Sequence, residues 1–385
     1  MAPPGMMLEA ANNMVMLEAT RITEHAKKQP VEITPPAAAP AVKVLRREFS
    51  VMKEKNYVHK KYTYSYKWVN IFVFGYIHLI FGYCLYTHFF ATKWQTIAFA
   101  WLYGLYAGMG VTAGAHRLWS HKAYKAVWQL RLLLVVAHAI ANQGDIRKWI
   151  RDHRSHHKFS ESDADPQNSL RGYFYAHIGW LLITKHPDVL EKGKTISIAD
   201  IESDPIIMWQ AKYYDILGPL LCFILPTLIP WYFWGEIFTV AWYNCCFRFA
   251  LTSNATWFIN SGAHAFGMRP YDKNEAGTEN IIFNIITVGE GWHNYHHAFP
   301  WDYSSSEIGV KQFNITTRFI DAFCAIGWAS DRKTVPLEIV KRRILRAGDG
   351  SHRFSKERDQ DHLWGWGDKD MLLDESEYAE VVNPR

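Results

Sequence analysis

The stretch Gly289-Glu-Gly-Trp-His-Asn-Tyr-His-His297 places three histidines within five residues, close to long apolar regions of the chain. His293, His296 and His297 stand at positions i, i+3 and i+4, so a helical turn would carry the three imidazoles on one side. The same spacing recurs in His153-Arg-Ser-His156-His157. An apolar core does not require such trios, and we expect the imidazoles of each trio to share a metal ion.

The composition indicates a protein that is partly embedded in a membrane. The 385 residues are 49% hydrophobic and 15% aromatic, with many Trp and Tyr, which is typical of membrane interfaces. The mean hydropathy of −0.16 argues against a transporter that lies wholly in the bilayer. The net charge of +5 is modest and its basic residues form no single arm, which disfavours nucleic acid as a partner and favours a cytosolic face near anionic lipid.

The five cysteines contain no CxxC pair, and four of them lie in or near apolar runs. We predict buried free thiols rather than a disulfide framework or a zinc-thiolate site.

The order of apolar and charged segments predicts an all-α integral membrane protein with four transmembrane helices in two hairpins and a cytosolic helical cap. The stretch 127–141 is apolar, but Arg131 and His138 favour an interfacial helix over a span. The predicted segments are a disordered N-terminus (1–42), a basic cytosolic flank (43–67), the first hairpin (68–113), the first part of the cap (114–212), the second hairpin (213–259), the second part of the cap (260–351) and a C-terminal tail (352–385).

An even number of crossings separates the first histidine cluster, His116-Arg-Leu-Trp-Ser-His121, from the last one, so all clusters can meet on one side of the membrane. Imidazole suits iron, zinc, copper and nickel. Eight histidines in three clusters exceed what one tetrahedral zinc needs, which leaves two metals, or one metal with bystanders. His116 and His121 are five residues apart, well over a quarter turn on an ideal helix, so we expect them to bridge toward different metals.

Other histidines are candidates of lower rank. His264 follows the last span, and Asn260, one helical turn earlier, could bind a metal through water. The isolated histidines are predicted to be ordinary packed or interfacial residues: His78, His88, His138, His177 and His186.

The clusters favour redox chemistry over hydrolysis. They lack the glutamate of the H-E-x-x-H motif, and the chain has no G-x-S-x-G, Walker A or G-x-G-x-x-G sequence. The pair Gly108-Met-Gly110 lies in an apolar span and predicts close helix approach. Paired redox metals beside a membrane indicate oxygen chemistry on a lipid, because an unactivated C–H bond needs an oxidised metal centre. Iron is the metal that this chemistry favours.

Four stretches resemble the membrane acyl-CoA desaturases, stearoyl-CoA desaturase included. They are Thr112-Ala-Gly-Ala-His-Arg-Leu-Trp-Ser-His121, Trp149-Ile-Arg-Asp-His-Arg-Ser-His-His-Lys-Phe-Ser-Glu-Ser-Asp-Ala-Asp-Pro166, Asn254-Ala-Thr-Trp-Phe-Ile-Asn-Ser-Gly-Ala-His264 and Gly289–His297. The similarity runs from about Tyr66 to Ser351 and is closest to the animal, insect-like form, without a fused cytochrome b5 domain.

The resemblance implies a four-span enzyme of the endoplasmic reticulum membrane with cytosolic N- and C-termini. It implies that two Fe ions are held through nine histidines, with no catalytic side chain beyond the ligands. Carried onto this chain, the ligands are His116, His121, His153, His156, His157, His264, His293, His296 and His297, with Asn260 acting through water. It further implies a long-chain acyl-CoA substrate, a cis double bond at Δ9 by default, O2 reduced to water, and electrons from NADH through cytochrome b5 reductase and cytochrome b5.

The resemblance also assigns a substrate tunnel. Residues matching its bend are Gln143, Trp149 and Thr256, with Trp257 adjacent, and residues matching its CoA contacts are Arg151, Asp152 and Lys185. Gly144 departs from the family pattern, where a polar CoA contact often stands. The closed end of the tunnel corresponds to Gly104 and Gly108, and we expect these glycines to leave a deep tunnel for chains of C18 or longer, or to let the chain slide to another register.

The same histidine motifs leave alternatives open. They also serve desaturases of other regiochemistry, such as Δ11, and fatty-acyl hydroxylases. A non-catalytic metal-binding membrane protein is the alternative from a different class.

Overall fold

The computed structural model describes residues 60–87, 91–307 and 313–357. The predictions made for 1–42, for 43–59, for His88 and for 358–385 lie outside these residues. The regular structure of the described part is almost entirely helical, as the sequence predicts. Its α-helices are α1 (Trp68–Thr87), α2 (Trp94–Met109), α3 (Trp128–Ala141), α4 (Ile146–Phe159), α5 (Trp180–Leu182), α6 (Pro187–Gly193), α7 (Ala199–Glu202), α8 (Pro205–Pro219), α9 (Leu225–Trp234), α10 (Phe238–Ala265), α11 (Ile281–Ile286), α12 (His293–Ala298), α13 (Ile315–Ala325) and α14 (Leu337–Ala347).

Shorter elements join them. Three segments are π-helical, namely Gly110–Ser120, Tyr175–Gly179 and Leu220–Ile224, and Ser169–Arg171 and Arg353–Glu357 are 3₁₀-helical. Two short strands, β1 (Lys125–Ala126) and β2 (Ala329–Ser330), pair antiparallel, with Lys125 opposite Ser330. This pairing ties the segment after the first histidine cluster to the end of α13.

Three helices among the described residues are long and apolar enough to cross a membrane: Trp68–Thr87, Trp94–Ser120 and Pro205–Trp234. They leave large apolar side chains exposed, for example Phe72 and Leu79 on α1 and Tyr232 on α9. Such a surface is stable when lipid covers it. The second of these helices extends beyond the expected end at residue 113, because α2 continues into a π-helical segment. The third begins before the expected residue 213, because α8 starts at Pro205.

The fourth expected span falls within α10, which is 28 residues long. Its length suffices for a bilayer, but it carries buried polar residues such as Asn244 and Arg248 and is less apolar than the other three. The helix therefore does not by itself establish a fourth crossing.

Arg248 has a structural partner in the π-helical segment Leu220–Ile224, between α8 and α9. Pro226 has no N–H, so the carbonyl oxygen of Cys222, four residues earlier, cannot accept an α-helical hydrogen bond from it. The Arg248 guanidinium donates to this oxygen at 2.7 Å, and the Cys245 thiol lies 3.2 Å from it. Burying a charge without an acidic partner is costly, and this contact offsets part of that cost while fixing α10 against the segment that precedes α9.

The π-helical segment that follows α2 packs tightly on α3. A Cβ atom at Gly110 would lie 2.1 Å from the backbone nitrogen of His138, so only glycine permits this approach. A Cβ at Gly108 would meet nothing within 4 Å. Of the two glycines in Gly108-Met-Gly110, only Gly110 serves the close contact that the sequence predicts.

The start of α4 is fixed by its N-cap. The Asp145 carboxylate accepts hydrogen bonds from the backbone N–H groups of Arg147 and Lys148, at 3.1 and 3.2 Å. Ile146 and Ile150 are fully buried and join a core that includes Leu130 of α3 and Ile320 of α13. Each such side chain contributes about 1.5–3 kcal/mol by its burial. The histidine-bearing face of α4 is thereby held in one orientation.

The five cysteines are free, as the sequence predicts, and Cys84, Cys222, Cys245 and Cys246 are buried whereas Cys324 is partly buried.

Candidate metal centre and its cavity

Nine histidines from four parts of the chain converge in two adjacent groups. Their sources are the π-helical end of α2, the C-terminal half of α4, the end of α10 and the short helix α12. The first group, called the five-histidine group below, contains His116, His121, His153, His157 and His296, and the second, called the four-histidine group, contains His156, His264, His293 and His297. Within each group the potential ligand atoms lie within 4.8 Å of one another. All nine histidines implied by the resemblance are thus brought together.

The expectation that each trio serves one metal is wrong. His153 and His157 belong to the five-histidine group whereas His156 belongs to the other, and His296 is likewise separated from His293 and His297. Side chains at i and i+4 lie on the same helix face, whereas neighbours in sequence diverge by about 100°. Each H-x-x-H-H motif therefore supplies both groups.

The expectation that His116 and His121 bridge toward different metals is also wrong, because both lie in the five-histidine group. The segment between them is π-helical rather than α-helical. The backbone N–H of His121 donates to the carbonyl of His116 at 3.2 Å, an i to i+5 bond. In this helix, residues five apart return to one side.

The ring contacts within the groups indicate a bound cation. The Nε2 atoms of His264 and His297 lie 2.9 and 3.0 Å from Nε2 of His293. The Nδ1 atoms of His264 and His297 face the carboxylates of Glu161, at 3.0 Å, and Glu275, at 3.8 Å. An Nδ1 that donates its proton to a carboxylate leaves the Nε2 lone pair pointing inward. The inward lone pair of His264 therefore faces Nε2 of His293, which can offer only one proton and is also approached by His297. A metal ion between the rings would remove this conflict.

The five-histidine group has the same convergence. The Nε2 atom of His296 lies 2.9 Å from the Nε2 atoms of both His116 and His157, and those of His121 and His153 are 2.8 Å apart. Burial and the neighbouring imidazoles hold the pKa well below its usual value for His121, His153, His157, His293, His296 and His297. Neutral imidazoles are the form that binds metals, and this donor set fits iron, zinc, copper or nickel.

Acidic side chains orient four of the rings. Besides Glu161 and Glu275, Asp165 lies 3.0 Å from Nδ1 of His156, and Glu290 lies 3.2 Å from Nδ1 of His116. Burial would raise the pKa of Glu290, but Arg117 and His116 lower it to about 2. Burial lowers the pKa of His156, whereas Asp165 and Glu161 raise it, and the net direction is upward. Such carboxylate contacts fix the ring orientation and raise the basicity of a ligand.

The position of α12 depends on its neighbours, since a helix of six residues is not stable alone. The Glu279 carboxylate accepts the backbone N–H of Tyr295 at 2.7 Å. The Asn294 side chain accepts the backbone N–H groups of Tyr271 and Asp272, at 2.9 and 3.1 Å. Burial raises the pKa of Glu279 to about 8 and so favours the protonated carboxyl.

An apolar cavity of about 660 Å³ begins at the histidines. His116 and His153 of the five-histidine group and His156 and His293 of the four-histidine group form part of its wall. From there it extends between α2 and α10 as far as Ile97. An apolar ligand in this cavity would present a segment of its length to both groups.

Three of the residues predicted to bend the substrate form one hydrogen-bonded chain. The Gln143 amide donates to the Thr256 hydroxyl at 2.8 Å, and the Trp149 indole N–H donates to Gln143 at 3.2 Å. Trp149 and Thr256 line the cavity, as does Asn260. Trp257 is not among the lining residues, because it faces α1 and packs edge-on against Phe74.

The residues predicted to contact CoA lie apart from the cavity lining. Lys185 and Asp152 form an ion pair with each other, and Arg151 is partly buried on the same helix as Asp152. Gly144 has a left-handed backbone with φ of 95°, and its N–H donates to the Tyr214 hydroxyl. The φ value explains why glycine is favoured at this departure from the family pattern.

Gly104 and Gly108 both line the cavity but in different environments. A Cβ at Gly104 would lie 3.3 Å from side-chain carbons of both Arg248 and Thr252, which is a close helix contact. A Cβ at Gly108 would point into open space. Only Gly108 therefore leaves room that a larger side chain could fill without displacing a neighbour.

The acidic residues of the centre were missed by reasoning from the sequence, although the signal was present. Glu290 precedes the last trio by three residues, and Glu161 and Asp165 follow the second trio closely. Arg117, which is next to His116 and almost fully buried, donates to Glu290 at 2.6 Å. A search for carboxylates near metal-binding histidines would have found them.

Fold and site together indicate a class of protein with helices long and apolar enough to cross a membrane and with two histidine groups, suited to bind metal, that open onto an apolar cavity. The family model described as fatty acid desaturase matches residues 92–310. An acyl-CoA Delta-9 desaturase of Acheta domesticus is 45% identical over 97% of this chain and 97% of its own length. An acyl-CoA Delta(11) desaturase of Spodoptera littoralis is 48% identical, covering 79% and 87%, and a stearoyl-CoA desaturase of Homo sapiens is 49% identical, covering 75% and 80%.

The chain belongs to the fatty acid desaturase family and, within it, to the acyl-CoA desaturases. It is accordingly an oxidoreductase.

Proposed function

We propose that this enzyme inserts a cis double bond, by default at Δ9, into a long-chain saturated acyl-CoA. The oxidant would be O2, reduced to water, and the electrons would pass from NADH through cytochrome b5 reductase and cytochrome b5. The observation that carries the proposal is the apolar cavity whose wall contains histidines of both groups. Relatives that act at Δ9 and at Δ11 have similar identity, so another bond position is the first alternative and fatty-acyl hydroxylation is the second.

Two irons are the proposed cofactor, one in each histidine group, with Asn260 contributing through water. Bound there, they would supply the oxidising power to break an unactivated methylene C–H bond with O2. The protein's own contribution would be to position the alkyl chain of the substrate beside the metal ligands. The chain formed by Trp149, Gln143 and Thr256 would bend the alkyl chain beside the ligands, and the apolar wall would exclude water.

Cavity length supports a long acyl chain. The residues of α10 that line the cavity run from Asn260 to Asn244, which is roughly 24 Å of helix at 1.5 Å per residue. An extended alkyl chain advances roughly 1.3 Å per carbon, given bonds of about 1.5 Å. The cavity would thus take roughly 18 carbons in extended form, with Gly108 on the tail side of the bend. Arg151, Asp152 and Lys185 are the proposed CoA contacts, since Arg and Lys suit phosphate groups.

For the membrane arrangement we propose four crossings, with α10 as the fourth, in the endoplasmic reticulum with both termini in the cytosol. In this arrangement 68–113 and 213–259 are the cores of the two hairpins, and 114–212 and 260–351 form the cap. Arg248 and Asn244 would then lie at membrane depth, where their burial against α9 and α2 avoids contact with lipid.

Expression in desaturase-deficient yeast tests the proposal. We expect wild-type protein to restore growth and to yield cis-unsaturated fatty acids, with the double bond located by mass spectrometry of derivatised lipids. His296→Ala should reduce product below detection, because His296 contacts ligands on both sides within its group. The matched control, His352→Gln, changes a histidine that contacts Glu307 outside the centre and should retain product. Hydroxylated instead of unsaturated chains would contradict the desaturase assignment.

A further inference from the structure

The two histidine groups differ in the charge that surrounds them. In the four-histidine group three of the rings face a carboxylate, with His156 on Asp165, His264 on Glu161 and His297 on Glu275. In the five-histidine group only His116 has such a partner, Glu290, among the described residues. The four-histidine group is also wholly buried, whereas His121, His153 and His157 are only partly buried.

Charge compensation increases this difference. Glu290 pairs with Arg117, whose side chain is 1% exposed, so the two charges next to the five-histidine group cancel. Asp165 accepts instead the backbone N–H groups of Glu161 and Gln167, each at 3.0 Å. Glu161 accepts the Ser169 hydroxyl at 2.8 Å. Among the described residues neither Asp165 nor Glu161 is paired with a lysine or arginine. Arg269 also reaches this group, where it donates to the carbonyl oxygen of His264 at 3.4 Å, but Asp165, Glu161 and Glu275 outnumber it. The excess negative charge therefore lies against the four-histidine group.

We propose that Asp165 and Glu161 are positioning residues that make the two metal ions inequivalent, so that the four-histidine group holds the ion that is harder to reduce. Negative charge in a buried site favours a trivalent over a divalent ion. Reduction from the ferric to the ferrous state would add one electron to each ion, supplied by dithionite in vitro or by the proposed cytochrome b5, and the five-histidine group would hold the ion that is reduced first. This inference rests on the proposed di-iron function and deepens it.

The test is an anaerobic reductive titration of the full-length protein loaded with iron, in which Mössbauer spectra count ferric and ferrous ions as dithionite is added. We expect two separate one-electron steps per chain. Glu161→Gln keeps an oxygen that can accept the Nδ1 proton of His264 but removes the charge, so it should move only the later step to milder reducing conditions. Asp165→Asn should have the same effect through His156. Glu290→Gln should move only the earlier step.

A chelator challenge provides a second readout that does not depend on turnover or on the order of reduction. Loss of a carboxylate partner lowers metal affinity by about 10- to 100-fold. Asp165→Asn and Glu161→Gln should each release one of two irons at a correspondingly lower chelator concentration. Glu307→Gln is the matched control, since this buried carboxylate contacts His352 and Tyr271 rather than a ligand. It should leave the titration and the release unchanged.

The inference is overturned if the wild-type ions are reduced in one indistinguishable step, or if Glu161→Gln and Asp165→Asn shift both steps equally or neither step. Failure of the proposed function looks different, because the wild-type protein would then bind fewer than two irons or form no unsaturated product. If Asp165→Asn does not fold, Glu161→Gln decides the question alone.

Discussion

The two ends of the cavity are built in different ways. The histidine end is assembled from buried polar contacts, such as Arg117 with Glu290 and His156 with Asp165. The tail end consists of two helices, α2 and α10, and its shape depends on small residues such as Gly108. We expect a change at the histidine end to alter whether chemistry takes place, because four of the nine rings depend on a carboxylate partner. A change at the tail end alters which chain fits. Reaction type and chain selectivity are therefore separable in this molecule.

The largest effect at the tail end is expected from Gly108→Phe. The new side chain would enter open cavity space and remove room for several methylenes, each worth about 1–3 kcal/mol of discrimination. We expect the ratio of C18 to C14 products, measured by gas chromatography of yeast lipids, to fall by about 10-fold or more, while the iron content stays unchanged.

Gly104→Ala is the matched control for that substitution. Its Cβ would press on Arg248 and Thr252 at a helix contact, so we expect a loss of stability of about 1 kcal/mol without a change in chain selectivity. If Gly108→Phe left the ratio of C18 to C14 products unchanged, or if Gly104→Ala shifted it equally, the tail end of the cavity would not determine chain-length selectivity.

A smaller effect concerns the pH dependence of stability at the histidine end. The pKa of Glu279 is raised by burial from 4.5 to about 8. Between these values the folded protein holds a proton that the unfolded chain releases, so the stabilisation is complete at low pH and is lost as pH rises. Relative to Glu279→Gln, the wild-type protein should lose on the order of 3 to 4 kcal/mol between about pH 5 and about pH 8. Thermal unfolding in detergent at several pH values measures this difference.

Glu307→Gln controls for the general effect of removing a buried carboxyl. Burial raises the pKa of Glu307, but His352 and Tyr271 lower it overall, so its stabilisation is lost as pH falls rather than as it rises. If stability fell with pH equally in the wild type and in Glu279→Gln, protonation of the Glu279 carboxyl would not contribute to the stability of the folded protein.

The histidine end was largely predictable because metal binding constrains residue type. His264 and the three histidine clusters could be named from spacing and resemblance, and the structure brings them together. The placement of His116 and His121 in one group could not be predicted, since it depends on the π-helix between them. The separation of His296 from His297 follows from ordinary α-helical geometry, but the single face expected for each trio did not take it into account.

The tail end was less predictable because cavities depend on how helices pack. The sequence presents Gly104 and Gly108 as equivalent glycines one turn apart, but only the packed helices show that one makes a contact and the other leaves a space. Trp257 likewise faces α1 instead of the cavity, which no pattern in α10 indicates. The α-helical class followed directly from the apolar segments, whereas the fourth crossing depends on the unusually polar α10.

The most direct test of the central claim combines metal analysis with turnover on one preparation of the full-length protein. Our account predicts about two irons per chain by elemental analysis and formation of an unsaturated acyl-CoA that requires both O2 and electrons from reduced cytochrome b5. Zinc in place of iron, or two irons per chain with no O2-dependent product from any long-chain acyl-CoA, would contradict it.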